Sequence, residues 1–117
     1  AIFPTLATGK SVITVKAHDS WIPVPISEVM YLEAKERRTY VVSAAQTGNH
    51  KYTLHEFEFL LPKDDFVRCH RSYIVNVNYI KEIVPDTRST LLLIMKNGDK
   101  ITVSQFYASY FRKLLGF

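Results

Sequence analysis

The sequence predicts a mainly β domain with two short helices, and three features indicate this fold class. Residues 12–15 are β-branched at every position, which is typical of strands. The pair Asn97-Gly98 stands between two apolar runs, as in a β-hairpin. Only two stretches carry apolar residues at helical spacing. At 117 residues the chain has the length of one domain with a real core.

The first half of the chain contains further strand signals. Residues 21–26 include two prolines, which predicts an edge strand or an extended segment. Residues 29–34 and 39–44 flank the polar tip 35–38, so these two runs predict a hairpin. Residues 47–49, Thr-Gly-Asn, predict a turn that leads into a short strand at residues 50–52.

The second half repeats the pattern. Residues 66–76 have extended character, and an arginine is hard to bury in a strand, so we expect a turn near Arg71-Ser72. The pair Asn97-Gly98 predicts a type I′ turn, in which both residues have positive φ. Further strands are predicted at residues 79–84, 91–95 and 100–103.

Each predicted helix has recognisable ends. Thr53 and Glu56 form a capping-box pattern, and Pro62 stops the first helix. Ser104 is placed to N-cap the second helix, and Gly116 follows its last turn. The apolar face of the second helix consists of Tyr107, Tyr110, Phe111, Leu114 and Leu115.

Charge and composition limit the function classes. The net charge is +4, from 15 Lys and Arg against 11 Asp and Glu, and the whole surplus falls in residues 59–117. This asymmetry gives modest support to a phosphate-facing surface. One cysteine, Cys69, excludes an intramolecular disulfide framework and fits a reducing, cytoplasmic location. No apolar run approaches the length of a membrane span, and no charged segment followed by an apolar one predicts a signal peptide. We expect residues 1–10 to be a linker end, because they include Pro4, Thr5, Thr8 and Gly9 and show no clear period. Since the chain starts at Ala1 and not at Met, we also expect it to be a domain of a larger protein.

No catalytic or metal signature is present, and we predict neither an enzyme nor a cofactor. The four histidines lack metal-ligand spacing, and Cys69 is interpreted as a small core hydrophobe. What remains is cations at loop tips. Lys35, Arg37 and Arg38 could contact phosphates or guanine edges, or could form a solvated turn. Ser72 and Asn76 could bond either backbone or ligand.

Residues 66–76, FVRCHRSYIVN, followed by Tyr79-Ile80, resemble the signature of the LytTR DNA-binding domain. The surrounding order is similar: VMYLEA at residues 29–34, the short helix before Pro62, and the closing hairpin KNGDKITVS at residues 96–104. The resemblance covers residues 11–115. It implies an elongated all-β fold of short antiparallel sheets with two short helices, acting as the output domain of a bacterial response regulator.

The resemblance also implies a binding mode, in which loops enter successive major grooves. Carried over by position, the tip would supply one major-groove contact, Arg71 and Ser72 would meet the central backbone, and the start of the last helix would supply the second major-groove contact. Many family members have an arginine after the position of Ser104, whereas this chain has glutamine, which can bind adenine but adds no charge. The site residues implied are Lys35, Arg37, Arg38, Thr39, Arg71, Ser72, Ser104, Gln105 and Phe106.

We therefore expect residues 11–117 to bind promoter DNA sequence-specifically as the output domain of a bacterial transcriptional regulator. The expected partners are double-stranded DNA, an upstream receiver or sensor domain, and a weak homodimer formed on DNA, with no membrane contact. The alternative is a β-rich protein-interaction module that pairs its edge strands with a partner.

Overall fold

The computed structural model describes residues 11–117, and the predicted linker at residues 1–10 lies outside the described residues. The helices are α1 (Leu54–Leu60) and α2 (Gln105–Leu115). No helix in this part of the chain has the length and apolar character to cross a bilayer. The strands are β1 (Val12–Ala17), β2 (Ser20–Pro25), β3 (Val29–Lys35), β4 (Arg38–Ser43), β5 (Thr47–His50), β6 (Phe66–His70), β7 (Tyr73–Asn76), β8 (Ile80–Pro85), β9 (Leu91–Met95) and β10 (Lys100–Val103).

The strands form two antiparallel sheets, which confirms the predicted fold class. The large sheet has seven strands in the order β2-β1-β5-β4-β3-β7-β6, and the small sheet has the order β10-β9-β8. The proline-containing strand β2 lies at the edge of the large sheet, as predicted. Because proline has no N–H, Pro23 and Pro25 are tolerated there and would interrupt a central strand.

The large sheet separates two hydrophobic cores. Leu32 and Ile74 face the first core, while their strand neighbours Tyr31 and Val75 face the second, because successive side chains point to opposite faces. Helix α1 covers the first face, and the small sheet with α2 covers part of the other. The helices are anchored by Phe57 and Phe111, both fully buried.

The predicted helix ends are observed. Thr53 and Glu56 form the capping box: Thr53 Oγ1 accepts a hydrogen bond from Glu56 N at 3.1 Å, and Glu56 Oε1 accepts one from Thr53 N at 2.9 Å. Gly116 ends α2 in the left-handed conformation. Ser104 occupies the N-cap position of α2, but its side chain makes no capping hydrogen bond. The hydroxyl of Ser104 is therefore not used by its own helix.

The turn predicted at residues 47–49 is wrong, because these residues belong to β5. The strand expected at residues 50–52 ends at His50. Gly48 is buried against β1, where a Cβ atom would lie 2.4 Å from Val15 Cγ2. Glycine is thus needed here for the close approach of two strands, not for a turn.

The type I′ turn predicted at Asn97-Gly98 is also wrong. Only Gly98 has positive φ (92°), and Asn97 Oδ1 accepts a hydrogen bond from Asp99 N at 3.0 Å. The asparagine therefore forms a side-chain turn of its own. Two consecutive positive φ values occur instead at the β3–β4 tip, at Glu36 (52°) and Arg37 (63°), and between β8 and β9, at Arg88 (56°) and Ser89 (62°).

Candidate nucleic-acid interface

The β3–β4 tip presents cations on a tight turn. Lys35 and Arg38 are paired across the hairpin, and both are exposed, as is Arg37. Lys35 Nζ lies 5.1 Å from the centre of the Tyr40 ring and 3.9 Å from Glu33 Oε1. Neither Arg37 nor Arg38 forms an ion pair with any residue in the described range 11–117. Both guanidinium groups are therefore available to a ligand.

Thr39 differs from the rest of the tip. It is only 3% exposed and is paired with Ala34 and His50. Strand alternation turns its side chain away from the face that carries Arg38 and Tyr40. The structure therefore places Thr39 inside the hairpin, where it can position the tip but offers little surface to a ligand.

The turn at Arg71-Ser72 is observed where it was predicted, and we name it the central turn. The Arg68 side chain donates two hydrogen bonds to backbone carbonyls at this turn: Nε donates to His70 O at 2.8 Å, and Nη2 donates to Arg71 O at 2.5 Å. Glu58 of α1 pairs with Arg68 Nη1. Of the cations in this stretch, Arg68 is therefore a structural brace, whereas the side chain of Arg71 is exposed.

His70 also stabilises the central turn, because its Nδ1 accepts a hydrogen bond from Ser72 N at 3.0 Å. The sequence leaves a backbone role and a ligand role equally open for Asn76, and the structure shows a backbone role. Its Nδ2 donates to Val29 O at 2.9 Å, and its Oδ1 accepts from Asn78 N at 3.0 Å. Sequence reasoning did not find the bracing role of Arg68 and Glu58, since these residues meet only in the folded chain.

The start of α2 is the third candidate segment. Gln105 is exposed, and Phe106 is 84% exposed, with its ring contacting only the edge of Tyr107 among the described aromatic groups, at 5.0 Å between centroids. The first amides of a helix carry partial positive charge and lack intrahelical acceptors. This segment therefore combines polar donors with an aromatic surface.

Two backbone hydrogen bonds hold these segments together. Ala34 N, next to the tip, donates to Ser72 O at 2.9 Å, and Ser104 N donates to Cys69 O at 3.1 Å. The central turn is thus bonded to the tip hairpin, and β6, the strand that leads into this turn, is bonded to the N-terminus of α2. The three segments form one continuous edge of the molecule.

A row of side chains, one from each of the seven strands, crosses the large sheet on the face that carries Arg38 and Tyr40. Residues directly opposite each other in a sheet share a face. Only one member of this row, Glu33, is acidic, and it is contacted by Tyr73 Oη at 2.9 Å and by Lys35. The row is Trp21, Lys16, Asn49, Tyr40, Glu33, Tyr73 and His70.

Two tyrosines stay protonated in this region. Burial, followed by the hydrogen bond to Glu33, raises the pKa of Tyr73 to about 12. Burial and the bond from Tyr31 Oη to Asp99 Oδ2, at 2.7 Å, raise the pKa of Tyr31 well above its ordinary value. Each phenol therefore remains a hydrogen-bond donor to its carboxylate, Tyr73 to Glu33 and Tyr31 to Asp99.

Cys69 is fully buried in the second core, and burial raises the pKa of its thiol to about 12. This confirms its interpretation as a core residue. No group of three or more His, Cys, Asp or Glu side chains in residues 11–117 could hold a metal ion.

The chain is similar to several known proteins. A family model described as the LytTr DNA-binding domain matches residues 19–116. A solved LytTr DNA-binding domain from Bacillus cereus is 69% identical, with a TM-score of 0.90 over 93% of this chain and 100% of that one. The sensory transduction protein LytT of Bacillus subtilis is 38% identical over 92% of this chain and 44% of its own length.

The transcriptional regulatory protein YpdB of Escherichia coli K12 is 33% identical over 95% of this chain and 46% of its own length. The chain thus spans somewhat less than half the length of these curated relatives. The match over residues 19–116 and the structural similarity confirm the resemblance inferred from residues 66–76 and the motifs around them. The chain belongs to the LytTr DNA-binding domain family.

Proposed function

We propose that this domain binds promoter DNA sequence-specifically, with loops instead of a recognition helix. The β3–β4 tip would enter one major groove with Arg37 and Arg38. The start of α2, with Ser104, Gln105 and Phe106, would enter the next major groove. The observation that carries this proposal is a pair of backbone hydrogen bonds, one from the tip hairpin to the central turn and one from the start of α2 to the adjoining strand β6.

Each segment has side chains suited to its part of the contact. An exposed arginine can form a bidentate pair with guanine, and a glutamine can do so with adenine. Arg71 and Ser72 lie between the two outer segments, where the backbone of the intervening minor groove would pass. A cation and a hydroxyl at this point suit phosphate contacts, which fix orientation and carry no sequence information.

The edge of the large sheet disfavours the alternative function. Augmentation of a sheet needs a row of free N–H and C=O groups on an edge strand. Strand β2, one edge of the large sheet, has Pro23 and Pro25 and so lacks two donors. The exposed cations of the tip have no role in strand pairing, whereas DNA binding uses them.

The relatives suggest how the domain works in a longer protein. Because LytT and YpdB are named as a sensory transduction protein and a transcriptional regulatory protein, we propose that this domain is the output module of a cytoplasmic bacterial regulator. An upstream receiver or sensor domain would control it. Two domains brought onto repeated half-sites as a weak homodimer would bind more tightly through their effective concentration.

The test is duplex binding at several salt concentrations, measured by fluorescence anisotropy with a labelled promoter duplex. We expect affinity to fall steeply with salt, with a logarithmic slope of about −0.9 per phosphate contacted. The contrary result is no duplex binding, together with binding to an unstructured peptide whose affinity hardly changes with salt. That result would support edge-strand pairing instead.

A further inference from the structure

A groove lies beside the β3–β4 tip, on the flank of the large sheet, and we name it the side groove. Its volume is about 460 Å³. It shares two arginines with the tip, and the remaining lining residues come from β2, β5 and the bend after β5. The lining residues are Trp21, Arg37, Arg38, Asn49, His50 and Lys51.

The side groove is strongly cationic. Three of its six lining side chains are Arg37, Arg38 and Lys51, and none is Asp or Glu. Lys16 extends the charge, since its Nζ lies 5.7 Å from the centre of the Trp21 ring. Within residues 11–117, none of these four cations forms an ion pair. Such a concentration of unneutralised charge attracts an anionic ligand.

Trp21 gives the groove an apolar surface. Its side chain is 66% exposed, which is unusual for so large an aromatic residue. Strand pairing fixes its position: Trp21 is opposite Lys16, and Asn49 Nδ2 donates to Lys16 O at 3.3 Å. An exposed aromatic ring next to cationic side chains suits a ligand in which apolar and anionic groups alternate.

We propose that the side groove binds the sugar–phosphate backbone of duplex DNA just outside the base pairs contacted by the tip. This inference rests on the proposed function. Lys16 and Lys51 contact phosphates, and Trp21 packs against deoxyribose. The side groove is continuous with the tip, because Arg37 and Arg38 belong to both. This continuity of the two surfaces favours DNA over an acidic peptide as the ligand. The footprint then extends beyond the three segments of the continuous edge.

The experiment uses the fluorescence of Trp21, which is the only tryptophan in the chain. The ligands are a duplex that ends at the specific site and two duplexes extended by about 5 base pairs, half a helical turn, on one side or the other. We expect one extended duplex to bind more tightly and to change the Trp21 emission. The Lys51→Ala and Lys16→Ala variants should each make the salt slope for that duplex shallower by about 0.9.

Lys81→Ala is the matched control, since exposed Lys81 lines a different groove, near the C-terminal end of α2. It should bind all three duplexes like wild type. If all three duplexes bind equally and Trp21 emission is constant, the side groove is not a DNA contact, although the proposed function stands. If no duplex binds, the proposed function itself fails. Oligo-glutamate serves as the acidic-peptide probe. If it changes the Trp21 emission at salt concentrations where extended DNA does not, the ligand is an acidic peptide and the inference is overturned.

Discussion

The amide of Ala34 donates a hydrogen bond to the carbonyl of Ser72 at 2.9 Å, so the strand that leads into the cationic tip is bonded directly to the central turn. On the other side, Ser104 at the start of α2 donates to the carbonyl of Cys69 in β6, the strand that leads into the central turn. A ligand that contacts the tip therefore meets the other two segments in a fixed arrangement. Such preorganisation reduces the entropy lost on binding.

Replacement of Arg38 by alanine tests base recognition. We expect specific binding to weaken by about 1–3 kcal/mol, with relaxed preference at one base pair, because a bidentate contact is lost. Binding-site selection with the variant checks this. Equal weakening for every sequence would show that Arg38 contacts only phosphate.

Arg71→Ala tests the central turn as a backbone contact. The exposed guanidinium should contribute affinity without sequence preference, so we expect uniform weakening and a salt slope shallower by about 1. The measurement is affinity for specific and unrelated duplexes at several salt concentrations. A salt slope equal to that of wild type would contradict the assigned role.

Arg68 should matter for stability. The Arg68→Ala variant loses the ion pair with Glu58 and two donors to the central turn, so we expect a loss of about 1–3 kcal/mol in the free energy of unfolding. Arg68→Lys should lose most of the same free energy, because an ammonium lacks the planar fork. Denaturant unfolding measures both variants, and a lysine variant as stable as wild type would show that charge alone suffices.

Gly48→Ala should overpack the contact between β5 and β1. The added methyl would lie 2.4 Å from Val15 Cγ2, and we expect destabilisation of about 1–3 kcal/mol. The Val15→Ala background provides the control, since it removes the nearest clashing atom, Cγ2, and leaves Val15 Cβ at 2.8 Å and Lys16 O at 3.0 Å. In that background the Gly48→Ala substitution should cost less. Equal costs in both backgrounds would place the strain elsewhere.

His50 should make folding sensitive to pH. Burial, and then the charge of Lys51, lowers the pKa of His50 below its ordinary 6.5. The unfolded chain therefore binds a proton that the folded chain does not, and stability falls as pH falls through the region just below 6.5. His50→Asn keeps an acceptor for Tyr52 N, which His50 Nδ1 now binds at 3.1 Å, but does not titrate. Thermal unfolding across this range should show a smaller pH dependence in the variant; an unchanged dependence would assign it to other groups.

Local signals predicted the parts of the fold that local physics determines. Thr53 and Glu56 are three residues apart, which is enough to form a capping box. The prolines of β2 predicted an edge strand, because a strand that lacks N–H donors is tolerated at the edge of a sheet and not at its centre. The motif at residues 66–76 supplied the family, and with it the prediction that three segments contact DNA.

Features that depend on strand pairing were not predictable in this way. Gly48 was interpreted as a turn residue because its contact with Val15 exists only in the paired sheet. Thr39 was grouped with the tip by position, whereas alternation from exposed Arg38 turns it inward. Trp21 and Lys16 came together with the tip only through the register across β1 and β5.

Selection of bound sequences from a random duplex pool is the decisive test of sequence-specific binding. We expect an enriched motif with two short conserved blocks separated by an unselective spacer, since we propose that the tip and the start of α2 contact bases and that the central turn contacts the DNA backbone. The Arg38→Ala variant should lose preference in one block only. Recovery of no enriched motif, from a pool that the protein binds, would contradict sequence-specific recognition by this domain.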